Sequence, residues 1–246
     1  MRPKIDKNTV LRYLGYSGQA IDDNLMSQID SLILQCEDSE DAKSVARYYE
    51  MSENTGDLVL LKDCSLELKG QDISRHLKGS VGCILLACTL GTRVNTNIAK
   101  LNARSVLDGV IYNAAASDLI ERATNVAHKK LGDDFKEQGL FLGRRYSPGY
   151  GDFPIDCQGA LLCELMASKK IGLFVTRAGM LTPTKSITAV IGVKEGDACG
   201  AVGAEGGAGV ARNSHYKADA SVLRNSCKSC AASKSCTFLK NGSFCN

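Results

Sequence analysis

The stretch Val81-Gly-Cys-Ile-Leu-Leu-Ala-Cys-Thr89 constrains the fold more than any other part of the chain. It is almost wholly apolar, about nine residues long, and closed by Gly91. A strand with one wet face alternates polar and apolar residues, whereas an unbroken apolar run is covered on both faces. The pattern therefore predicts a buried central strand with elements packed above and below it. The run is far short of the roughly 20 residues that a membrane-spanning helix needs.

The neighbouring segments set the class. Residues 22–36 place Leu25, Ile29, Leu32, Ile33 and Cys36 on one helical face, with Asp22 or Asp23 as N-cap. Residues 46–51 and 58–68 read as extended, with a hairpin around Asp63-Cys64-Ser65. Residues 71–77 and 92–101 read as helical. Residues 105–131, rich in Ala, Leu and Ile and lacking Gly or Pro after Gly109, read as the longest helix. Residues 140–146 read as extended, 156–168 as helical, and 171–176 and 186–193 as strands. This alternation is too irregular for βαβ units. It predicts an α+β fold: a twisted, mainly antiparallel sheet flanked by helices, with a Cys-rich C-terminal tail.

Between residues 196 and 212 the chain holds six Gly and five Ala. So small a set of side chains buries too little surface to offset the entropy of ordering it. The expected organisation is a domain over residues 1–195, a flexible Gly/Ala-rich linker over 196–226, and a Cys-rich tail over 227–246. The formal charge is +3, with 27 acidic residues among 30 basic ones, and Trp is absent. That balance argues against a nucleic-acid partner. No apolar stretch follows Met1-Arg-Pro-Lys-Ile-Asp6, so the expectation is a cytoplasmic chain without a signal peptide or membrane segment.

Such a location keeps thiols reduced, so the eleven cysteines do not read as a disulfide framework. Cys36, Cys64, Cys83, Cys88, Cys157, Cys163 and Cys199 are scattered through the chain and read as small buried hydrophobes. The tail differs. Cys227-x2-Cys230-x5-Cys236-x8-Cys245 sits among small polar residues with no core to enter. Short spacings of this kind point to metal ligation by Cys227, Cys230, Cys236 and Cys245. An iron–sulfur cluster, a zinc ion and free thiols all remain open. Of the three histidines, His76, His128 and His215, none lies in a metal-binding spacing.

The segment Gly143-Arg-Arg-Tyr-Ser-Pro-Gly-Tyr-Gly-Asp-Phe-Pro154 is the most informative loop. Pro148-Gly149 sets a tight turn and Pro154 holds Phe153 extended. A rigid loop bearing Arg and Tyr suits a carboxylate and a flat ring. It also suits a plain connection with solvated arginines. Ser117, Glu121, Asn125 and His128 share one face of the long predicted helix. That stripe is either a solvated face or, if it meets the loop, half of a clamp. In the clamp Arg145 takes a carboxylate and Glu121 an ammonium, with the charges compensated.

Three elements occur in order: Arg145-x-Ser-Pro-Gly-Tyr-x-x-x-Pro154, then Ile171-Gly-Leu-Phe-Val-Thr176, then Met180-x-x-Pro183-x-x-Ser186-Ile. Upstream stand Ala87-Cys-Thr-Leu-Gly91 and Asp118-Leu-Ile-Glu121. Over roughly residues 22–193 this arrangement resembles the activation domain of cobalamin-dependent methionine synthase. The resemblance implies an S-adenosylmethionine site. Arg145 would bind the ligand carboxylate and Glu121 would sit near its ammonium or ribose. Ser147 and Gly149 would supply backbone hydrogen bonds, and Tyr150 would line the pocket. No catalytic acid or base is implied, because the sulfonium methyl is already activated.

In that family the domain serves the reductive remethylation of cob(II)alamin. The expectation here is a free-standing reactivation factor. Its partner would be a separate corrinoid-binding methionine synthase chain, with flavodoxin or ferredoxin as electron donor. Methyltransferase activity would then belong to the assembled complex. Two other readings stand beside it: a module that senses S-adenosylmethionine, and an iron–sulfur electron-transfer accessory acting through the tail.

Overall fold

The computed structural model describes residues 3–196. Helices α1 (Lys7–Tyr13) and α2 (Asp23–Asp38) open the chain. Strands β1 (Lys43–Asn54), β2 (Leu58–Leu61) and β3 (Leu68–Lys69) form a meander, followed by α3 (Gln71–His76). The apolar run is β4 (Gly82–Thr89). It leads into α4 (Gly91–Arg104), α5 (Val106–Lys136) and β5 (Leu140–Tyr146). A 3₁₀ turn at Ile155–Cys157 enters α6 (Gln158–Leu165) and α7 (Ala167–Ile171). Strands β6 (Phe174–Val175) and β7 (Leu181–Thr182) pair as a small ribbon before β8 (Ser186–Glu195).

The main sheet has the order β3-β2-β1-β4-β8-β5, and every pairing in it is antiparallel. This is the α+β architecture expected from the pattern. All eight residues of β4 are buried. Ile84, Leu86 and Cys88 face the layer of α1, α2, α4 and α5. Cys83, Leu85 and Ala87 face α3, α6 and α7. Each fully buried Leu or Ile contributes roughly 1.5–3 kcal/mol, which is why an unbroken apolar run settles at the centre of three layers.

Asp22 caps α2 by accepting from Leu25 N at 3.0 Å. Ser105 does the same for α5 through Asp108 N at 3.2 Å. Gly109 lets α4 close on α5, since a Cβ there would fall 1.8 Å from Asn102 Oδ1. The long helix runs past residue 131 to Lys136, because Leu131 and Phe135 continue its apolar face over Ile84, Leu86, Ile191 and Val193.

Two local expectations change. The helix predicted over 156–168 is two helices, broken at Met166, whose φ of 53° is left-handed. Positions two apart on a helix lie roughly 200° around its axis. An unbroken helix would expose either Leu165 or Ala167, and the break buries both. The strand predicted over 171–176 shrinks to the two residues of β6, because Ile171 ends α7 and Gly172 caps it in a left-handed conformation. Cys36, Cys83 and Cys88 are buried as expected, whereas Cys163 is exposed on α6. Among the described residues no helix is long and apolar enough to cross a membrane.

Candidate functional site

Strand β5 is an edge strand, and an irregularity in it sets the site. Leu142 pairs with Val193, Arg145 with Ile191 and Tyr146 with Val190, so the register slips by one between Leu142 and Arg145. Directly opposed residues of an antiparallel pair share a face. Val193 and Ile191 both face α5, so Leu142 and Arg145 do too. Without the bulge, the odd separation of Leu142 and Arg145 would put the arginine on the other side of the sheet.

The arginine therefore meets the stripe on α5. Arg145 donates to Asn125 Oδ1 at 2.7 Å and to Glu121 Oε2 at 3.2 Å. The Arg145 side chain is 20% exposed and that of Glu121 48%. One turn towards the N-terminus of α5, Ser117 Oγ accepts from Lys185 Nζ at 2.7 Å. One turn in the other direction, His128 hydrogen-bonds the backbone at Gly143. The stripe is thus a rim. Its sheet side is engaged by β5 and the segment before β8, and Glu121 and Asn125 remain open to water.

Burial sets the electrostatics of this rim. It pushes the Glu121 carboxyl above the usual carboxylate range, with the Arg145 guanidinium pulling the other way. It pushes His128 below the usual imidazole value, and Arg145 adds to that. Lys185 is also held below the usual lysine range by burial. The result is a row of half-desolvated groups in which the Glu121 carboxylate is paired with Arg145.

The loop after β5 is fixed from behind. Gly149 N donates to Phe153 O at 2.8 Å, Tyr150 N to Ser147 O at 3.3 Å, and Phe153 N to Tyr150 O at 3.1 Å. Gly149 has φ of +91°, and a Cβ there would press on Ile155 Cδ1 at 3.2 Å. Asp152 accepts from Gln71 N at 2.7 Å and Asp72 N at 3.0 Å, which ties the loop to α3. Those backbone donors hold the Asp152 carboxyl below its ordinary value. Tyr146 stacks on His76 and on Phe153, with centroids 5.1 and 6.2 Å apart. His76 Nε2 hydrogen-bonds Arg144 O at 2.9 Å. Tyr150 is left 67% exposed beside this rigid turn.

Arg145, Ser147, Gly149 and Tyr150 thus form one short segment, and Glu121 meets its first residue. Asn125 was legible as a member of the stripe but not as an acceptor for Arg145. Lys185 had no sequence signal at all. The linker beyond Gly196, Cys199, His215 and the tail ligands Cys227, Cys230, Cys236 and Cys245 lie outside the described residues. Among the described residues no group of three or more His, Cys, Asp or Glu side chains is placed to hold a metal.

No protein-family model matches the chain, and no curated protein matches it. Among solved structures, the crystal structure of the MetH reactivation domain bound to AdoHcy is similar, with a TM-score of 0.55. At 14% identity the match covers 76% of this chain and 73% of that one. The likeness shows that the two chains share a fold.

Proposed function

We propose that the protein binds S-adenosylmethionine at the Arg145 loop and supports reductive remethylation of cob(II)alamin on a separate corrinoid-dependent methionine synthase. The observation that carries this reading is the meeting of Arg145 with Glu121 beside a pinned Ser-Pro-Gly-Tyr turn. The fold shared with a reactivation domain solved with AdoHcy supports it.

The donor set fits the α-amino-acid end of such a ligand. Arg145 has more N–H donors than Asn125 and Glu121 use, and its planar fork matches a carboxylate. Arg145 engages Oε2 of Glu121, leaving Oε1 to accept from an ammonium. A zwitterion entering here exchanges one ion pair for two, so no charge is left uncompensated. The Ser147–Gly149 backbone would border such a ligand, and the exposed Tyr150 ring offers an apolar face.

When bound, the ligand supplies a methyl group already activated by its sulfonium. The chain's residues then need only hold and aim it. Neither His128 nor Glu121 is assigned a proton to move. Cobalt and homocysteine belong to the partner, so activity is a property of the complex.

The test is calorimetric titration of S-adenosylmethionine into wild type and Arg145→Ala, followed by a remethylation assay with a corrinoid methionine synthase. Saturable binding lost in the variant, with remethylation lost alongside it, is the expected outcome. Absence of binding by wild type, alone and with the partner, overturns the reading. Binding without any stimulation of remethylation assigns the protein to sensing the ligand instead.

A further inference from the structure

Helix α3 is tied to the Arg145 loop on one side and borders a separate depression on another. This depression, about 530 Å³ in volume, opens towards the β1–β2 turn and is lined by Asn54, Thr55, Gln71, Ser74, Arg75 and Lys78 among others. None of its lining residues is acidic. Asn54 Nδ2 donates to Ser74 O at 2.9 Å, which joins the turn to the helix. Thr55 Oγ1 donates to Asp57 Oδ1 at 2.7 Å, so the nearest acid of the turn is already engaged. Arg75 pairs with Asp72 at 2.9 Å, and Lys78 makes no ion pair among the described residues.

The second observation is Ser74. It lines the depression, is 2% exposed, and its Oγ has no hydrogen-bond partner. A hydroxyl buried without a partner forfeits the hydrogen bonds it made to water and gains nothing in return. Ser80 Oγ is also unpartnered, but it lies against Gly192 instead of lining the depression. Ser74 therefore combines an unused donor with two neighbouring cations and no acid in the wall.

We propose that this depression binds the oxyanion of a small organic phosphate. Lys78 and Arg75 hold the charge and Ser74 Oγ donates to a phosphate oxygen. The volume lies in the range of small-molecule sites, about 300–1,000 Å³. Asn54, Gln71 and Met51 remain for the organic part. This site shares no side chain with the Arg145 rim, so its test does not depend on the function proposed above.

The experiment is amide NMR of the full chain at constant ionic strength. It is titrated with glycerol 3-phosphate, inorganic phosphate, and chloride as control. Glycerol 3-phosphate is expected to saturate with a dissociation constant near or below about 1 mM. It should shift Gly56, Ser74 and Gly79, and bind several-fold more tightly than inorganic phosphate.

Lys78→Gln and Ser74→Ala should each weaken it by about fivefold or more. Ser74→Ala should also melt no lower than wild type in phosphate-free buffer, because it removes an unpaired group. Several outcomes overturn the proposal: no saturable shift above the chloride control at about 10 mM; equal affinity for both phosphates; unchanged binding in both variants; or a lower melting temperature for Ser74→Ala without phosphate, which makes its hydroxyl structural.

Discussion

Two acidic residues three positions apart on α5 each hold an arginine, and the two pairs are built differently. Asp118 is closed. Its Oδ2 accepts from Arg122 Nε at 2.6 Å and from Asp6 N at 2.8 Å, and its side chain is 6% exposed. Asp6 in turn accepts from Asn8 N and Thr9 Oγ1 and lies 3.4 Å from Arg122. Every member of this network holds α1 against α5. Glu121 is open. It meets Arg145 through one oxygen at 3.2 Å and remains 48% exposed. A buried carboxylate held by two donors from different elements is architecture. A pair with solvent on one side can exchange partners, and a binding site needs that property.

The sharpest way to break this contrast is Asp118→Ala. It strips Arg122 and the Asp6 amide of their common acceptor beneath a largely buried surface. Removing one partner of a buried pair costs about 3–5 kcal/mol, and Arg122 is exposed enough to reduce this to about 2–3 kcal/mol. Urea denaturation followed by circular dichroism should show the loss, with α1 released. Affinity for S-adenosylmethionine at the folded baseline should change little. A stability within about 0.5 kcal/mol of wild type would dissolve the distinction.

Arg145→Ala should behave in the opposite way. The open pair contributes at most about 1 kcal/mol to the fold. The charge-assisted contact to a ligand carboxylate is worth about 1.5–3 kcal/mol, or roughly a tenfold to hundredfold loss of affinity. Arg145→Lys keeps the charge without the fork, so it should recover only part of that loss. A variant that unfolds but binds normally when folded would make Arg145 another Asp118.

How far the sequence reveals this contrast depends on the distances involved. Spacing alone shows the polar stripe of α5, the apolar β4 and the Asp22 cap, because each is a local pattern of fixed period. Asp118 and Asp6 lie 112 positions apart, and no period connects them. The meeting of Arg145 with the stripe depends on a one-residue bulge beside Gly143. Its only local sign is a glycine inside a strand, and such a glycine fits several backbone paths. The break at Met166 carries no Gly or Pro and follows from burying both Leu165 and Ala167, a tertiary demand. The turn Ser147-Pro-Gly-Tyr150 was legible as rigid, yet the Asp152 cap that fixes it to α3 joins residues some 80 positions apart.

The pH dependence sharpens the same comparison. Burial raises the Glu121 pKa above its ordinary value of 4.5. The folded state therefore keeps the Glu121 proton to higher pH than the unfolded chain does. Glu121 then contributes stability below pH 4.5 that is lost as pH rises through its folded value. Ligand binding runs the other way, because only the ionised carboxylate takes an ammonium. Across the window above pH 4.5, wild type should lose stability relative to Glu121→Gln and gain affinity relative to it. Paired denaturation and calorimetry series measure both slopes. Parallel slopes in the two proteins would remove Glu121 from the clamp.

The smallest effect expected is that of Asn125→Ala, and it tests how the open pair is held in place. Asn125 Oδ1 is the shortest contact Arg145 makes, at 2.7 Å, but it is neutral and lies at the exposed rim. Its loss should cost about 0.5–1 kcal/mol of stability at most, because at the exposed rim water takes its place on the guanidinium. Its effect on binding follows from position more than strength. Asn125 and Glu121 lie one helical turn apart and together fix the plane of the guanidinium. With Asn125 gone, Arg145 rotates about a single remaining contact and must be re-ordered when the carboxylate arrives. An ordering cost of that kind weakens affinity by about threefold to fivefold. It leaves the pH dependence intact, because Glu121 is untouched. Calorimetry of Asn125→Ala at two pH values reads both quantities. A loss as large as that of Arg145→Ala would mean that Asn125 contacts the ligand itself. No loss would mean that the bulge and Glu121 alone aim the arginine.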